Sequence, residues 1–239
     1  MNTEEMRSCL IRNGIPFRDE LPEKLFIYFS LLKDWNSRMD LTAVTDDEEM
    51  TDKHFIDSLT VLKTGILPES GKMIDVGTGA GFPGMVLAMA CPDMEVTLLD
   101  SQQKRLAFLD HVRRETDTKN TVIIHARAED GARKPELREQ FDIAAARALA
   151  PMNVLCEYLL PYVKTGGSAL CWKGPALKEE LESGRKAARL LGGQLEMPLS
   201  CPVQGRDWEH MILPIRKISR TAAAYPRKAV VPKNKPLGL

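Results

Sequence analysis

The stretch MIDVGTGAGFPG, Met73 to Gly84, holds the densest chemistry in the chain. Gly79, Gly81 and Gly84 spell GxGxxG, the pattern that lays a dinucleotide pyrophosphate on a glycine turn and the helix after it. Gly77, Gly79 and Gly81 overlap it as GxGxG, which suits a site for S-adenosylmethionine (SAM). Charge separates the two ligands. The strand feeding a pyrophosphate turn is normally apolar, but here it carries Asp75, two residues before Gly77. A carboxylate facing the loop repels a pyrophosphate. SAM has no phosphate, and its ammonium and sulfonium favour a nearby acid. Asp100 closes the next apolar run and can accept from both ribose hydroxyls of either ligand. Together Asp75, the glycines and Asp100 favour SAM. The plain alternative is a tight strand–helix turn that holds nothing.

Three further positions fall where strands should end. ARAED follows the third strand, so Ala128 and Glu129 sit where an adenine edge would be clamped, although acids at a helix N-terminus also suit the helix dipole. Arg147 follows the apolar run IAAA and needs an outlet, either the cleft or a surface salt bridge. Cys171 and Lys173 flank the end of a fifth strand. The cysteine reads as core, and the lysine as a candidate phosphate contact. No Ser/His/Asp or Cys/His constellation appears, the four histidines lack metal-ligand spacing, and the five cysteines are scattered without a CxxC. Neither metal nor disulfide framework is expected.

The elements that must position these residues follow from periodicity. Residues 1–65 read as helical, with Leu25, Phe29, Leu32 and Trp35 at helical spacing, Pro22 in a first turn, and TDDE at 45–48 as a capping box. From residue 73 strand–helix alternation begins, with strands at MIDV, EVTLLD, TVIIHA, FDIAAA and GGSALCW, and helices near 82–90, 101–115, 151–163 and 175–191. QLEMPL and HMILPIRK read as two antiparallel strands at the end. This predicts a doubly wound α/β fold, a mostly parallel seven-stranded sheet with a terminal hairpin. The expected division is a helical extension at 1–65, a ligand-binding core at 66–218 and a basic segment at 219–239 that packs on or near the core.

Composition sets the outer bounds. The 239 residues are 44% hydrophobic and 28% charged, ordinary for a globular chain. No apolar run of about 18 residues is present, so no membrane-spanning helix is expected. The start, MNTEEMRSCLIRNG, lacks the basic and apolar regions of a signal peptide, which leaves the cytoplasm as the default. The net charge is zero but unevenly spread. After Glu209 no acid occurs, while Arg216, Lys217, Arg220, Arg227, Lys228, Lys233 and Lys235 do. A basic end on an acidic body suits either a polyanion contact or a solvated tail.

DVGTGAGFPG, LLDSQQKRLAFL, RAED, FDIAAARALAP, WKGP and the terminal YPRKAVVPKNKPL resemble the ribosomal RNA small subunit methyltransferase G family, also called glucose-inhibited division protein B. WNSRMDLTAVTDDEEMTDKHFIDSL resembles it too, so the likeness runs from about Leu25 to Leu237. Two departures show: Asp40 where the family usually has Asn, and Lys53 where it usually has Arg. The resemblance implies a class I methyltransferase that uses SAM to methylate guanine N7 in 16S ribosomal RNA, at about position 527 in the decoding-region loop. It also implies that Gly77, Phe82, Ala128, Glu129 and Arg147 contact SAM. Phe82 follows the loop directly and can offer its amide and ring, or simply pack the first helix. Gly79 and Asp100 join the cofactor set on the residue argument above. Lys173, Arg227 and Lys228 are the expected RNA contacts. Guanine N7 has a free lone pair, so no catalytic base is expected. The competing readings are a nicotinamide oxidoreductase, a binding protein with a vestigial pocket, and a methyltransferase acting on another RNA.

Overall fold

The computed structural model describes residues 1–239. Five strands, β1 (Gly71–Val76), β2 (Met94–Asp100), β3 (Thr121–His125), β4 (Phe141–Arg147) and β5 (Val163–Lys173), pair in parallel. β6 (Gly193–Leu195), β7 (Leu199–Ser200) and β8 (Met211–Lys217) complete one eight-stranded sheet of order β3-β2-β1-β4-β5-β8-β6, with β7 also on β8. The switch point therefore lies between β1 and β4. β8 runs antiparallel to β5, as β6 and β7 do to β8.

The expected sixth strand, QLEMPL, is broken in two. Leu195 pairs with Ile215 and Leu199 with Ile212, so this side holds one residue more than its partner. Pro198 in the gap has no N–H to offer the ladder. The result is eight strands instead of seven.

Helices cover both faces. The first 65 residues contain no strand, as periodicity predicts. They form α1 (Thr3–Arg12), α2 (Leu21–Met39) and a continuous run of α3 (Asp47–Met50), a π-helical turn (Thr51–Ile56), α4 (Asp57–Leu59) and a 3₁₀ turn (Thr60–Thr64). α2 opens with Pro22 and ends at Asp40 in the left-handed region (φ 49°). Asn and Asp both tolerate that conformation, so the departure at residue 40 keeps the helix stop. The cap of α3 sits one residue later than expected: Asp46, not Thr45, accepts from the Glu49 N–H at 2.8 Å. A carboxylate at this position also answers the helix dipole.

α5 (Gly84–Ala90) and α6 (Gln103–Glu115) join the N-terminal helices on one face, where Leu25, Tyr28, Phe55, Met85, Leu98 and Phe108 share a core. α7 (Ala128–Gly131), α8 (Met152–Leu159) and α9 (Leu177–Leu190) cover the other face, around Ile74, Leu155, Leu159, Tyr162 and Leu213. The C-terminal segment ends in α10 (Val231–Asn234). No helix is long and apolar enough to cross a membrane.

Candidate active site

The carboxyl ends of β1 to β5 open on one trough made of three abutting cavities, of about 400, 220 and 370 Å³. The first and middle cavities share Gly77, Arg105 and Leu149, and the middle and third share His54, Arg147 and Ala148. A separate cavity of about 420 Å³ lies beside Arg18, Leu62, Cys91 and Asp93, by the α5–β2 connection and away from these strand ends.

The glycines divide the labour. A Cβ on Gly77 would come 2.7 Å from the Leu149 side chain, which lies over the loop. Gly79 adopts φ 60°, and a Cβ there would meet nothing closer than 3.9 Å, so its backbone faces open space. Gly81 and Gly84 look inward instead. A Cβ on Gly81 would strike Tyr28 and Leu109, and one on Gly84 would strike Asp75 and Leu98. Gly77 and Gly79 therefore face the trough, while Gly81 and Gly84 let helices approach closely.

Asp75 acts differently from its expected role. It is fully buried, and its Oδ2 accepts from Thr78 Oγ1 (2.7 Å) and from the Gly84 N–H (2.8 Å). It does not face a ligand ammonium. It clamps the glycine loop and fills the donor at the start of α5, the donor a pyrophosphate would need. Oδ1 has no partner, and burial pushes the carboxyl up to about 6 against the pull of these hydrogen bonds.

Asp100 lies at the end of β2 and lines the first cavity. Its Oδ2 accepts from the Gly79 N–H (2.9 Å) and its Oδ1 from the Gln102 N–H (2.8 Å). These bonds fix the carboxylate and tie it to the glycine loop, and its two oxygens retain lone pairs for a further donor. Ala128 and Glu129 open α7 on the same cavity. Glu129 is 5% exposed and already accepts from the Val230 N–H at 3.1 Å, so the C-terminal segment forms a wall here with Val230 and Lys233.

Arg147 stands between the middle and third cavities. Its outlet is the N-terminal extension. Nη1 donates to the Lys53 carbonyl (2.6 Å) and to Asp57 Oδ2 (3.0 Å), and Nη2 lies 3.3 Å from His54 Nδ1. The guanidinium also lies 5.3 Å from the centre of the Phe82 ring, which stacks on Tyr28 and on His54. Phe82 thus packs in the core and at the same time lines the middle cavity. An arginine only donates, so His54 Nδ1 is the acceptor and Nε2–H faces Thr42 Oγ1 at 2.7 Å. Burial, then the Arg147 charge, depress the His54 pKa to about 4. The ring is neutral at physiological pH.

Lys173 lines the third cavity, but its Nζ is held by Glu180 (2.6 Å) and the Ala150 carbonyl (3.4 Å). Cys171 is fully buried, with its pKa raised to about 12 by desolvation, a core residue as expected. Arg227 departs furthest from expectation. It grips Glu157 through Nε and Nη2 (2.6 Å), with its own backbone N–H adding a third donor. Glu157 is 0% exposed, so Arg227 neutralises a buried acid and is not a free phosphate contact. Lys217 is likewise buried, on Glu139. Lys228, Lys233 and Lys235 remain exposed.

Sequence reasoning missed His54, Asp57 and His210. His54 and Asp57 fall three apart on one helical face, which was the available signal. His210 lies in an irregular segment and carried none.

The profile of the family described as rRNA small subunit methyltransferase G matches residues 22–207. The chain belongs to this family. It is 46% identical over 224 residues to the ribosomal RNA small subunit methyltransferase G of Clostridium perfringens (strain 13 / Type A), covering 94% of both chains. It is 44% identical to that of Alkaliphilus oremlandii, again over 94% of both. Among solved structures it resembles the 16S rRNA (adenine(1408)-N(1))-methyltransferase of Catenulisporales acidiphilia, at TM-score 0.52 and 16% identity, covering 64% of this chain and 87% of that one. It also resembles M. jannaschii TYW2 in complex with AdoMet, at TM-score 0.50 and 15% identity, covering 66% and 74%. At these identities the likeness is one of fold, the mostly parallel α/β sheet expected.

Proposed function

We propose that the protein uses SAM to methylate N7 of a guanine in small-subunit ribosomal RNA, near position 527 of the decoding-region loop, acting in the cytoplasm. The observation that carries this reading is family membership along 94% of the chain with Gly77, Gly79, Phe82, Asp100, Ala128, Glu129 and Arg147 all lining one trough.

The trough fits the cofactor. Its first cavity, about 400 Å³, lies in the range of small-molecule sites. Gly77 presents bare backbone to it and Gly79 to the adjoining middle cavity, the fixed Asp100 carboxylate offers an acceptor to a ribose, and Ala128 and Glu129 offer to close the nucleoside end. SAM supplies an electrophilic methyl group on a sulfonium. The donor position at the head of α5, taken by Asp75, argues against a pyrophosphate and so against the oxidoreductase alternative.

Guanine N7 bears a lone pair and no proton at neutral pH, so the protein need only align acceptor and methyl. His54, the histidine nearest the glycine loop, is neutral with both nitrogens already engaged, and no step asks it to take a proton. Arg147, held by three partners, orders the wall between cofactor and substrate cavities. Lys228, Lys233 and Lys235 form the exposed basic stretch for phosphate.

The test is transfer of a labelled methyl group from SAM to small-subunit RNA, followed by nucleoside analysis. The label should appear in 7-methylguanosine. Label in another nucleoside would favour the reading of a methyltransferase with a different target.

A further inference from the structure

We infer that the third cavity, at the carboxyl ends of β4 and β5, receives the target base, and that His210 reads its Watson–Crick edge. This rests on the reading of guanine as the target. The cavity, about 370 Å³, joins the glycine-loop cavity through His54, Arg147 and Ala148, so a base within it lies next to the methyl-donor site.

Hydrogen-bond logic fixes what its wall offers. His210 Nδ1 lies 2.8 Å from Asp57 Oδ1. An ionised carboxylate only accepts, so Nδ1 carries the proton. In the neutral ring Nε2 is then an acceptor, and no group in the protein bonds to it. The side chain is 32% exposed and lines the cavity. Asp57 is 3% exposed, too buried to read the base itself, and its other oxygen accepts from Arg147 Nη1. It is a positioning residue that sets the His210 tautomer and fixes Arg147 at once.

The remaining wall donates. Arg147 has Nε–H and one Nη2–H left after its three contacts. Lys173 keeps one of its three ammonium protons after Glu180 and Ala150. One acceptor among donors matches guanine, whose O6 accepts and whose neighbouring N1–H and exocyclic amine donate. Adenine reverses the pattern. It would set the N1 lone pair against Nε2 and its amine against Arg147 or Lys173. A site built to pair with a donor rejects the analogue that lacks it.

The test compares binding of two synthetic RNA hairpins, with guanine or adenine at the target position, to protein saturated with S-adenosylhomocysteine. Wild type should prefer guanine by about tenfold or more, the range of one specific base contact. His210→Phe keeps a ring without the acceptor, and should bring the preference below about threefold. His210→Gln restores an acceptor, and should regain the preference. His210→Ala gives the same comparison if phenylalanine disturbs the fold. Affinity for S-adenosylhomocysteine, read by calorimetry, should stay the same in all. An undiminished guanine preference in His210→Phe and His210→Ala overturns the assignment. Absence of 7-methylguanosine from the wild-type reaction product instead overturns the guanine reading beneath it, whatever His210 does.

Discussion

Asp100 is the residue on which cofactor affinity should turn, and for two reasons. Its carboxylate is an expected ribose acceptor, and it also holds the Gly79 N–H, so its loss loosens the loop beside the ligand. Asp100→Ala should weaken SAM binding by about 1.5–3 kcal/mol, as for a hydrogen bond to a charged group. Unchanged affinity in calorimetry would show that neither role matters. His54 makes the complementary case. Its pKa of about 4 lies far below the working range, so it cannot titrate between pH 6.5 and 8.5. The single-turnover rate with RNA and SAM saturating should stay nearly flat across that window. A tenfold rise per pH unit would mean that a proton is removed, and so a different acceptor atom. The places of Gly77, Gly79 and Asp100 on the trough were legible from their types and spacing. The role of Asp75 was not. Its identity showed that a carboxylate is present, but only packing reveals that the carboxylate points back into the loop.

Among the elements, the basic C-terminal segment was legible as charge, but the expectation that Arg227 meets RNA was not met. Charge runs in sequence do not say which cation meets an acid seventy to eighty residues away. Arg227 is bound to Glu157, and Lys217 to Glu139, while Lys228 stays exposed. The two neighbours should therefore behave oppositely. Arg227→Ala leaves a buried carboxylate unpaired and should cost about 3–5 kcal/mol in urea unfolding. Lys228→Ala should leave stability unchanged and flatten the salt dependence of RNA binding, by about 0.7–0.9 log units of slope if it meets one phosphate. A stable Arg227→Ala protein, or an unchanged slope for Lys228→Ala, would refute the respective half of this division. The sheet order followed from the βα alternation, whereas the break at Pro198 and the one-residue shift of the α3 cap depend on pairing and cap geometry that periodicity does not resolve.

At the scale of the molecule, the N-terminal extension and the sheet share one core, and the extension supplies Lys53, His54 and Asp57 to the trough. Folding and site assembly are thereby linked, and two buried groups link both to pH in opposite senses. His54, lowered to about 4, is charged more readily when unfolded, so its contribution is full above its ordinary value near 6.5 and is lost as pH falls toward 4. Asp75, raised to about 6 from 3.8, binds its proton more readily when folded, so acidification from 6 to 4 stabilises the native state through it. Asp75→Asn removes that gain. Relative to wild type it should lose about 2 kcal/mol of stability between pH 7.5 and 4.5, the part of the shift that this window spans. Equal denaturation curves at both pH values would place the Asp75 pKa near its ordinary value. The central claim is tested most directly in the cell, by mapping 7-methylguanosine at nucleotide resolution in 16S ribosomal RNA with and without this protein. The account predicts that one guanine, in the decoding-region loop, loses its N7 methyl when the protein is absent and regains it when the protein is restored. An identical methylation map in the two strains would contradict it.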